Sequence, residues 1–470
     1  MHLIVLGAGL MGVTTAYALL REGHRVTLVE RASEAAAATS HANAGLIAAS
    51  RALPWPTPDA LGVLARALVR RDAVLRIERP WAHGFWRWGF SFLRHGTSAE
   101  YVRRSTAKLH LARAAQRALE RLFAETGIDG GYARSGLLYL CRSESTRRAA
   151  LERARHVETC LSAGLPGSGR MSPPLVWVSA QQVAAIEPAL TGAVSCSAIV
   201  GASHAADDGQ GDARRFATGL ADLLAERGAV LRFGAQADGL DWTDGRVTAV
   251  RLRDGTRLPA DGVVVALGPW TTLFARRIGL SRPIHPVKGY SLTVPILDPK
   301  AAPRIGGICD DTRVAWCPLD GGRRLRLTTG AVFAGWNVDH CDADFAPHRA
   351  FADALWPGLC DWGSRQIERW ACLRPMTPSS LPILGAYGAT NLWWNCGHGH
   401  LGWTLCALSA EVMAALVAGR DPALDADALD PVSSRWRMAS ATRKQAVARR
   451  GEDGRMRGAR SATTEDLSNR

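Results

Sequence analysis

The feature that most constrains this chain is a glycine-spaced turn near its start. An apolar run, His2-Leu3-Ile4-Val5-Leu6, breaks at Gly7-Ala8-Gly9-Leu10-Met11-Gly12 and passes at once into Thr14-Thr15-Ala16-Tyr17-Ala18-Leu19-Leu20. The G-x-G-x-x-G spacing acquires meaning in that setting, after a strand and opening a helix. Gly7 permits the tight turn, Gly9 lets the backbone approach a pyrophosphate, and Gly12 lets helix and strand pack closely. The pyrophosphate then lies on the helix N-terminus, where free N–H groups and the helix dipole favour negative charge. His24–Glu30 reads as a second strand, completing a β-α-β unit, and Glu30 at its end is placed to accept hydrogen bonds from a ribose. An acidic side chain there also disfavours a 2′-phosphate. The turn therefore predicts a dinucleotide and leaves NAD and FAD both open.

The rest of the chain predicts an α/β protein whose nucleotide-binding pieces are interleaved with a second domain. Residues 51–175 differ in character, with an aromatic cluster (Trp81, Phe85, Trp86, Trp88, Phe90 and Phe92) and an Ala/Leu/Arg-rich helical stretch over 98–126. Core packing is the commoner fate of such aromatics, and contact with a membrane surface is the alternative. After a break at Ser172-Pro173-Pro174, the pattern predicts a helix at about 212–227, strands at 229–233 and 246–252, and a buried strand in Gly262–Gly268. Alternation over 284–345 predicts an antiparallel sheet. The segment 371–420 reads as a Pro/Gly-rich loop, a strand at 392–395, a glycine loop and a closing helix at 404–418. The expected division is a Rossmann-like domain from 1–50, 176–270 and 371–430, an α+β domain on an antiparallel sheet from 51–175 and 271–370, and a disordered tail over 431–470.

Charge narrows the partners. The 57 basic and 43 acidic residues leave a formal charge of +14. Most of the excess lies in two places: 51–110 carries eleven Lys/Arg against four Asp/Glu, and 435–470 carries ten against four. No helix-turn-helix, zinc-finger or RNA-binding signature accompanies it, so nucleic acid is not expected. Basic residues near anionic lipid each contribute about 1 kcal/mol, which allows a peripheral membrane contact. The ten cysteines form no C-x-x-C pair, and Met1 runs straight into the first strand, so no secretory leader is expected. Scattered thiols of this kind predict a reduced, cytoplasmic protein. No apolar run reaches the roughly 18 residues a bilayer span needs, so any membrane contact is peripheral, on the inner face.

Four further segments decide between the dinucleotides. Thr39-Ser40-His41-Ala42-Asn43-Ala44-Gly45 follows soon after the second strand. His285-Pro286-Val287-Lys288-Gly289-Tyr290-Ser291-Leu292-Thr293 falls in the alternating region. Then come Leu373-Arg374-Pro375-Met376-Thr377-Pro378 and Asn395-Cys396-Gly397-His398-Gly399-His400-Leu401-Gly402-Trp403-Thr404. Taken in order across residues 1 to about 430, these resemble the FAD enzymes of the D-amino-acid oxidase superfamily, most closely the bacterial D-amino acid dehydrogenases of the small-subunit type.

The resemblance implies non-covalent FAD, since no cysteine stands where a flavin thioether is expected. Gly7, Gly9, Gly12 and Glu30 match the ADP-binding unit, and Ser40, Asn43, Ala44 and Gly45 match the loop beside the flavin. Ala237 falls where the family presents its backbone to adenine, although a larger aliphatic is more usual. Gly268 ends a strand against the cofactor. Gly397, Gly399, Leu401 and Gly402 match the loop over the flavin ring, whose following helix would stabilise negative charge on the reduced flavin.

For the substrate, the resemblance singles out Arg374, whose planar guanidinium can grip an α-carboxylate bidentately and so aim Cα–H at the flavin. Tyr290 is expected to offer its hydroxyl to the same carboxylate. His398 is expected to tune the flavin or guide a proton. His398 and His400 form an H-x-H, but no third ligand accompanies them and no metal is expected. The implied reaction is hydride transfer from Cα of a D-amino acid to flavin N5, hydrolysis to a 2-oxo acid and ammonium, and transfer of electrons to a quinone-type acceptor. One departure bears on the substrate: the Gly-Gly-x-Ala-Glu run of the family reads Thr328-Thr329-Gly330-Ala331-Val332 here. The alternatives are the same chemistry on glycine, an opine, sarcosine or a D-hydroxyproline, a subunit of a hetero-oligomer, and an NAD-dependent dehydrogenase.

Overall fold

The computed structural model describes residues 1–69, 75–82, 84–163, 174–422 and 429. The expected tail at 431–470 lies outside the described residues, as do Ser172 and Pro173 of the proline break.

A six-stranded sheet carries the glycine turn. Its order is Ile383–Ala386, Leu392–Cys396, Gly262–Val265, His2–Leu6, Arg25–Val29, Val230–Arg232, all parallel except the first, which runs antiparallel to its neighbour. Leu3–Leu6 and Val263–Val265 are buried on both faces, which is why these strands are unbroken apolar runs rather than alternating ones. Helix Leu10–Arg21 packs between this sheet and helices Ala213–Glu226 and Gly402–Val417. A three-stranded antiparallel sheet, Ala237–Thr243, Arg246–Leu252 and Arg257–Pro259, lies beside it.

The second large sheet has nine strands. Glu368–Met376, His285–Pro295, Arg324–Phe333 and Ala315–Leu319 pair antiparallel in that order, Gly307–Cys309 continues to Leu137–Cys141, and Gly201–Ala205 and Val176–Ser179 finish it. Leu75–Ile77 pairs with Arg324–Phe333. The strands at 176–179 and 201–205, and the one that carries Arg374, thus belong to this sheet and not to the nucleotide side where 176–270 and 371–430 were expected to fall. Their hydrogen-bond partners decide this, because short apolar strands carry no local mark of which sheet they join.

The aromatic cluster splits in two on helix Phe85–Arg94. Phe85, Trp88 and Phe92 are buried against Val287, Phe333 and Met376, whereas Trp86 and Phe90 face outward. The closing helix begins at Gly402, two residues before the expected Thr404, since the Leu405 N–H already bonds the Leu401 carbonyl at 2.9 Å.

Candidate active site

A cavity of about 410 Å³ runs along the C-terminal ends of the parallel strands. Such ends are where open α/β sheets bind ligands. Gly7, Gly9, Glu30, Ser40, Asn43, Ala237, Gly268, Gly397, His398, Gly399 and Gly402 all line it. Residues 230 and more apart in sequence therefore meet on one surface.

The glycine turn is sterically forced. A Cβ on Gly12 would stand 1.6 Å from the Gly7 carbonyl oxygen, and Gly7 itself has φ +100. The Gly9 position is closed by the Ser40 hydroxyl, which accepts a hydrogen bond from the Leu10 N–H at 3.1 Å at the start of the helix. One Glu30 carboxylate oxygen accepts from the Ala8 N–H at 2.8 Å and the other from the Ala32 N–H at 2.9 Å. That grip fixes the carboxylate at the turn, with lone pairs left for a ribose. Beyond Glu30, the Arg31 guanidinium lies 4.0 Å over the Trp270 ring, and Ala235, Gln236 and Ala237 complete this end of the cavity. Sequence reasoning missed Trp270, although it follows Gly268 by two residues.

At the other end the expected residues divide. Asn43 lines the cavity, and its Oδ1 accepts from the Gly45 N–H at 3.0 Å. Ala44, Gly45 and Leu401 pack behind the cavity instead. Gly45, at φ +73, presses against Cys317, whose Sγ would lie 2.7 Å from a Cβ there. Leu401 is buried with Leu405 and Tyr139. The loop at 39–45 is tied to the Arg374 strand by the Thr39 hydroxyl, which donates to the Leu373 carbonyl at 2.8 Å.

The Arg374 guanidinium runs over Gly289, where a Cβ would stand 2.5 Å from both terminal nitrogens, and donates to the Gly330 carbonyl at 2.6 Å. Burial lowers it from the usual range to about 10, so it stays charged at neutral pH. No carboxylate among the described residues pairs with it. Gly330 belongs to the 328–332 run that departs from the family pattern, and that run supplies the carbonyl that aims the arginine.

Tyr290 is not brought to Arg374. Val287 and Gly289 stand opposite Arg374 and Cys372, whereas Tyr290 stands opposite Ala371. Alternation along a strand therefore puts Tyr290 on the other face. Its hydroxyl accepts from Arg76 at 3.3 Å, and burial, with Asp344 close by, pushes the phenol up. His398 lines the cavity, but its Nε2 is hydrogen-bonded to the Ser409 hydroxyl at 2.9 Å, and burial lowers it to about 3. Burial thus holds the ring neutral, and the bond to Ser409 ties its loop to helix Gly402–Val417. Among the described residues no cluster of three or more His, Cys, Asp or Glu could hold a metal.

The sequence matches the family of FAD dependent oxidoreductases called DAO over residues 2–416. It is 36% identical over 430 residues to "D-amino acid dehydrogenase 2" of Mesorhizobium japonicum, covering 91% of this chain and 99% of that one. It is 37% identical over 429 residues to a D-amino acid dehydrogenase of Cereibacter sphaeroides, covering 90% and 93%. Glycine oxidase from Geobacillus kaustophilus shares the fold, with a TM-score of 0.66 at 22% identity over 90% of this chain and 96% of that one. L-proline dehydrogenase from P. horikoshii does so with 0.65 at 16% over 93% and 98%. The glycine cradle, the held Glu30 and the cavity between them fit a dinucleotide, and the family makes that dinucleotide FAD. This chain belongs to the DAO family of FAD-dependent oxidoreductases.

Proposed function

We propose that the protein oxidises D-amino acids to 2-oxo acids and ammonium and passes the electrons to a quinone-type acceptor. The observation that carries this reading is Arg374, a charged guanidinium without a carboxylate partner, one residue from the cavity-lining Pro375. The names of the relatives at 36 and 37% identity support the D-amino acid as the substrate class.

Gly7, Gly9, Ser40 and Glu30 would hold the ADP half of FAD, and Asn43 with the Gly397–Gly402 loop would hold the flavin half. Bound FAD supplies a two-electron acceptor. The protein's own residues supply orientation and a closed site. Arg374 takes the α-carboxylate through two parallel hydrogen bonds, which fixes the direction of Cα–H. The Gly330 carbonyl and the bare Gly289 backbone keep the guanidinium in place while it does so. The substrate gives up a hydride from Cα and a proton from nitrogen, and water then splits the imino acid to the 2-oxo acid and ammonium. A neutral amine needs no strong base for this, and His398 is not one.

The test is anaerobic mixing of the FAD-loaded protein with D- and L-amino acids. Bleaching of the flavin by D-alanine and not by L-alanine is expected; bleaching by L-amino acids alone, or by none, refutes the reading.

For the acceptor, we propose a peripheral contact with an anionic membrane surface. Among the described residues no helix is long and apolar enough to cross a membrane. Leu61, Trp81, Trp86 and Phe90 are 66, 77, 54 and 64% exposed in the basic region 51–110, Trp86 and Phe90 side by side, and exposed apolar groups on a basic segment suit a lipid headgroup layer. Co-sedimentation with anionic but not neutral vesicles is expected, lost on combining Trp86→Ser with Phe90→Ser while dye-linked activity persists. Binding that survives both changes refutes the patch.

A further inference from the structure

The reaction as proposed uses neither His400 nor Trp55, yet the two stack on each other beside a loop tied to the Arg374 strand. His400 follows Gly399, whose N–H bonds the Pro375 carbonyl at 3.0 Å, so its loop is fastened next to the arginine. The imidazole stacks on the Trp55 indole at 5.5 Å between centroids and 25° between planes. The residue is exposed, and no described residue hydrogen-bonds either of its ring nitrogens. Trp55 is fixed in turn. Its backbone N–H donates to the Ser380 hydroxyl at 3.3 Å, and the same hydroxyl accepts from the Lys108 ammonium at 3.1 Å. Ser380 holds φ +62 to make both bonds, a conformation that L-residues other than glycine seldom adopt.

The charge around this pair is one-sided. Lys108 is buried, bonds otherwise only to the Leu53 carbonyl at 3.2 Å, and has no carboxylate partner among the described residues. Burial lowers it to about 7, so a nearby anion would favour its charged form. Arg51, Arg153 and Arg313 share the single carboxylate of Asp310. Desolvation by the protein surrounding this exposed position, and then the positive charges of Lys108, Arg374 and Arg51, push His400 well below its ordinary value. The imidazole therefore stays neutral and can donate one hydrogen bond and accept another. A substrate's α-carboxylate would balance Arg374 and leave the remaining positive field for whatever follows Cα.

We infer that His400 and Trp55, backed by Lys108, form the side-chain wall of the substrate cleft and select side chains ending in an anionic or carbonyl oxygen over those ending in a cation. This rests on Arg374 as the anchor of the α-carboxylate. An amide or carboxylate oxygen would accept the imidazole N–H, whereas an ammonium or guanidinium would meet an uncompensated positive field.

Three carboxylates of equal chain length test this without turnover. Glutarate, valerate and 5-aminovalerate end in an anion, a methyl group and a cation, and each can be titrated into the full-length FAD-loaded protein while the flavin spectrum is followed. Glutarate should bind about tenfold more tightly than valerate, and 5-aminovalerate about tenfold less tightly, the size expected of one charge in a partly screened site. His400→Phe keeps a stacked ring without its nitrogens and should bring the glutarate-to-valerate ratio close to one. Lys108→Met should weaken discrimination against 5-aminovalerate. Binding of 5-aminovalerate as tight as that of glutarate overturns the inference, and so does an unchanged ratio in His400→Phe. If no carboxylate perturbs the spectrum while D-alanine still bleaches the flavin, the wall is refuted alone. If D-alanine fails as well, the Arg374 reading falls with it.

Discussion

At the scale of single residues, the site turns on Arg374, on Gly289, which leaves room for its guanidinium, and on the Gly330 carbonyl that receives it. Removing its side chain deletes a charge-assisted bidentate contact worth about 3 kcal/mol, so Arg374→Ala should lower kcat/KM for D-alanine roughly a hundredfold. The loss should appear mainly in KM, with FAD content unchanged, in steady-state assays with a dye acceptor. A near-normal KM would remove Arg374 from the site. Tyr290 makes the opposite case. Because it stands opposite Ala371 on the far face of the sheet, Tyr290→Phe should leave kcat/KM within about twofold. It should cost about 1 kcal/mol of stability through the lost bond from Arg76, measured by urea unfolding. A large fall in kcat/KM with unchanged stability would put the hydroxyl back at the substrate.

At the scale of elements, the cofactor end is assembled by ties between segments that are remote in sequence. Thr39 joins the 39–45 loop to the Arg374 strand through the Leu373 carbonyl, and Gly399 joins the flavin loop to the same strand through Pro375. Thr39→Val keeps the shape and removes one bond. It should cost about 1 kcal/mol and speed the loss of FAD on dilution, read as recovery of free flavin fluorescence. Unchanged retention would show that the loop is held by packing alone. His398 sits in the same loop with its ring bonded to Ser409 on helix Gly402–Val417. Of the two histidines of the H-x-H, His398 lines the cavity and is buried, whereas His400 is exposed.

For the whole molecule, the buried histidines set the response to acid. His95, His285 and His348 are each lowered to about 4 and His398 to about 3, burial being the largest cause every time. A histidine lowered in the fold takes up its proton more readily when unfolded. Its contribution is therefore complete above about 6.5 and is lost as pH falls toward the folded value. Each adds a slope of about 1.4 kcal/mol per pH unit within that window. Asp208 opposes them, since burial raises it to about 6 and its protonation favours the fold. One carboxylate does not offset four imidazoles, so the urea midpoint should fall steadily from pH 7 to pH 5. A flat or rising midpoint over that range would contradict the buried, neutral assignment.

The glycine turn and Glu30 were legible because they are local. Gly7 to Gly12 make a turn whose tightest contact, a Gly12 Cβ against the Gly7 carbonyl, lies within six residues, and the adjacent second strand brings Glu30 back to the Ala8 N–H. Arg374 and the flavin loop were legible through resemblance, which reports residue types but not the direction a side chain takes. That direction was decided by tertiary structure. Whether Tyr290 or Gly289 shares a face with Arg374 depends on a register between strands some 85 residues apart, and a shift of one residue exchanges the two faces. The stacking of Trp55 on His400 joins opposite ends of the chain, and no pattern at either end announces the other. Motifs set by backbone sterics are written in their own few residues; a pocket wall exists only once distant segments pack.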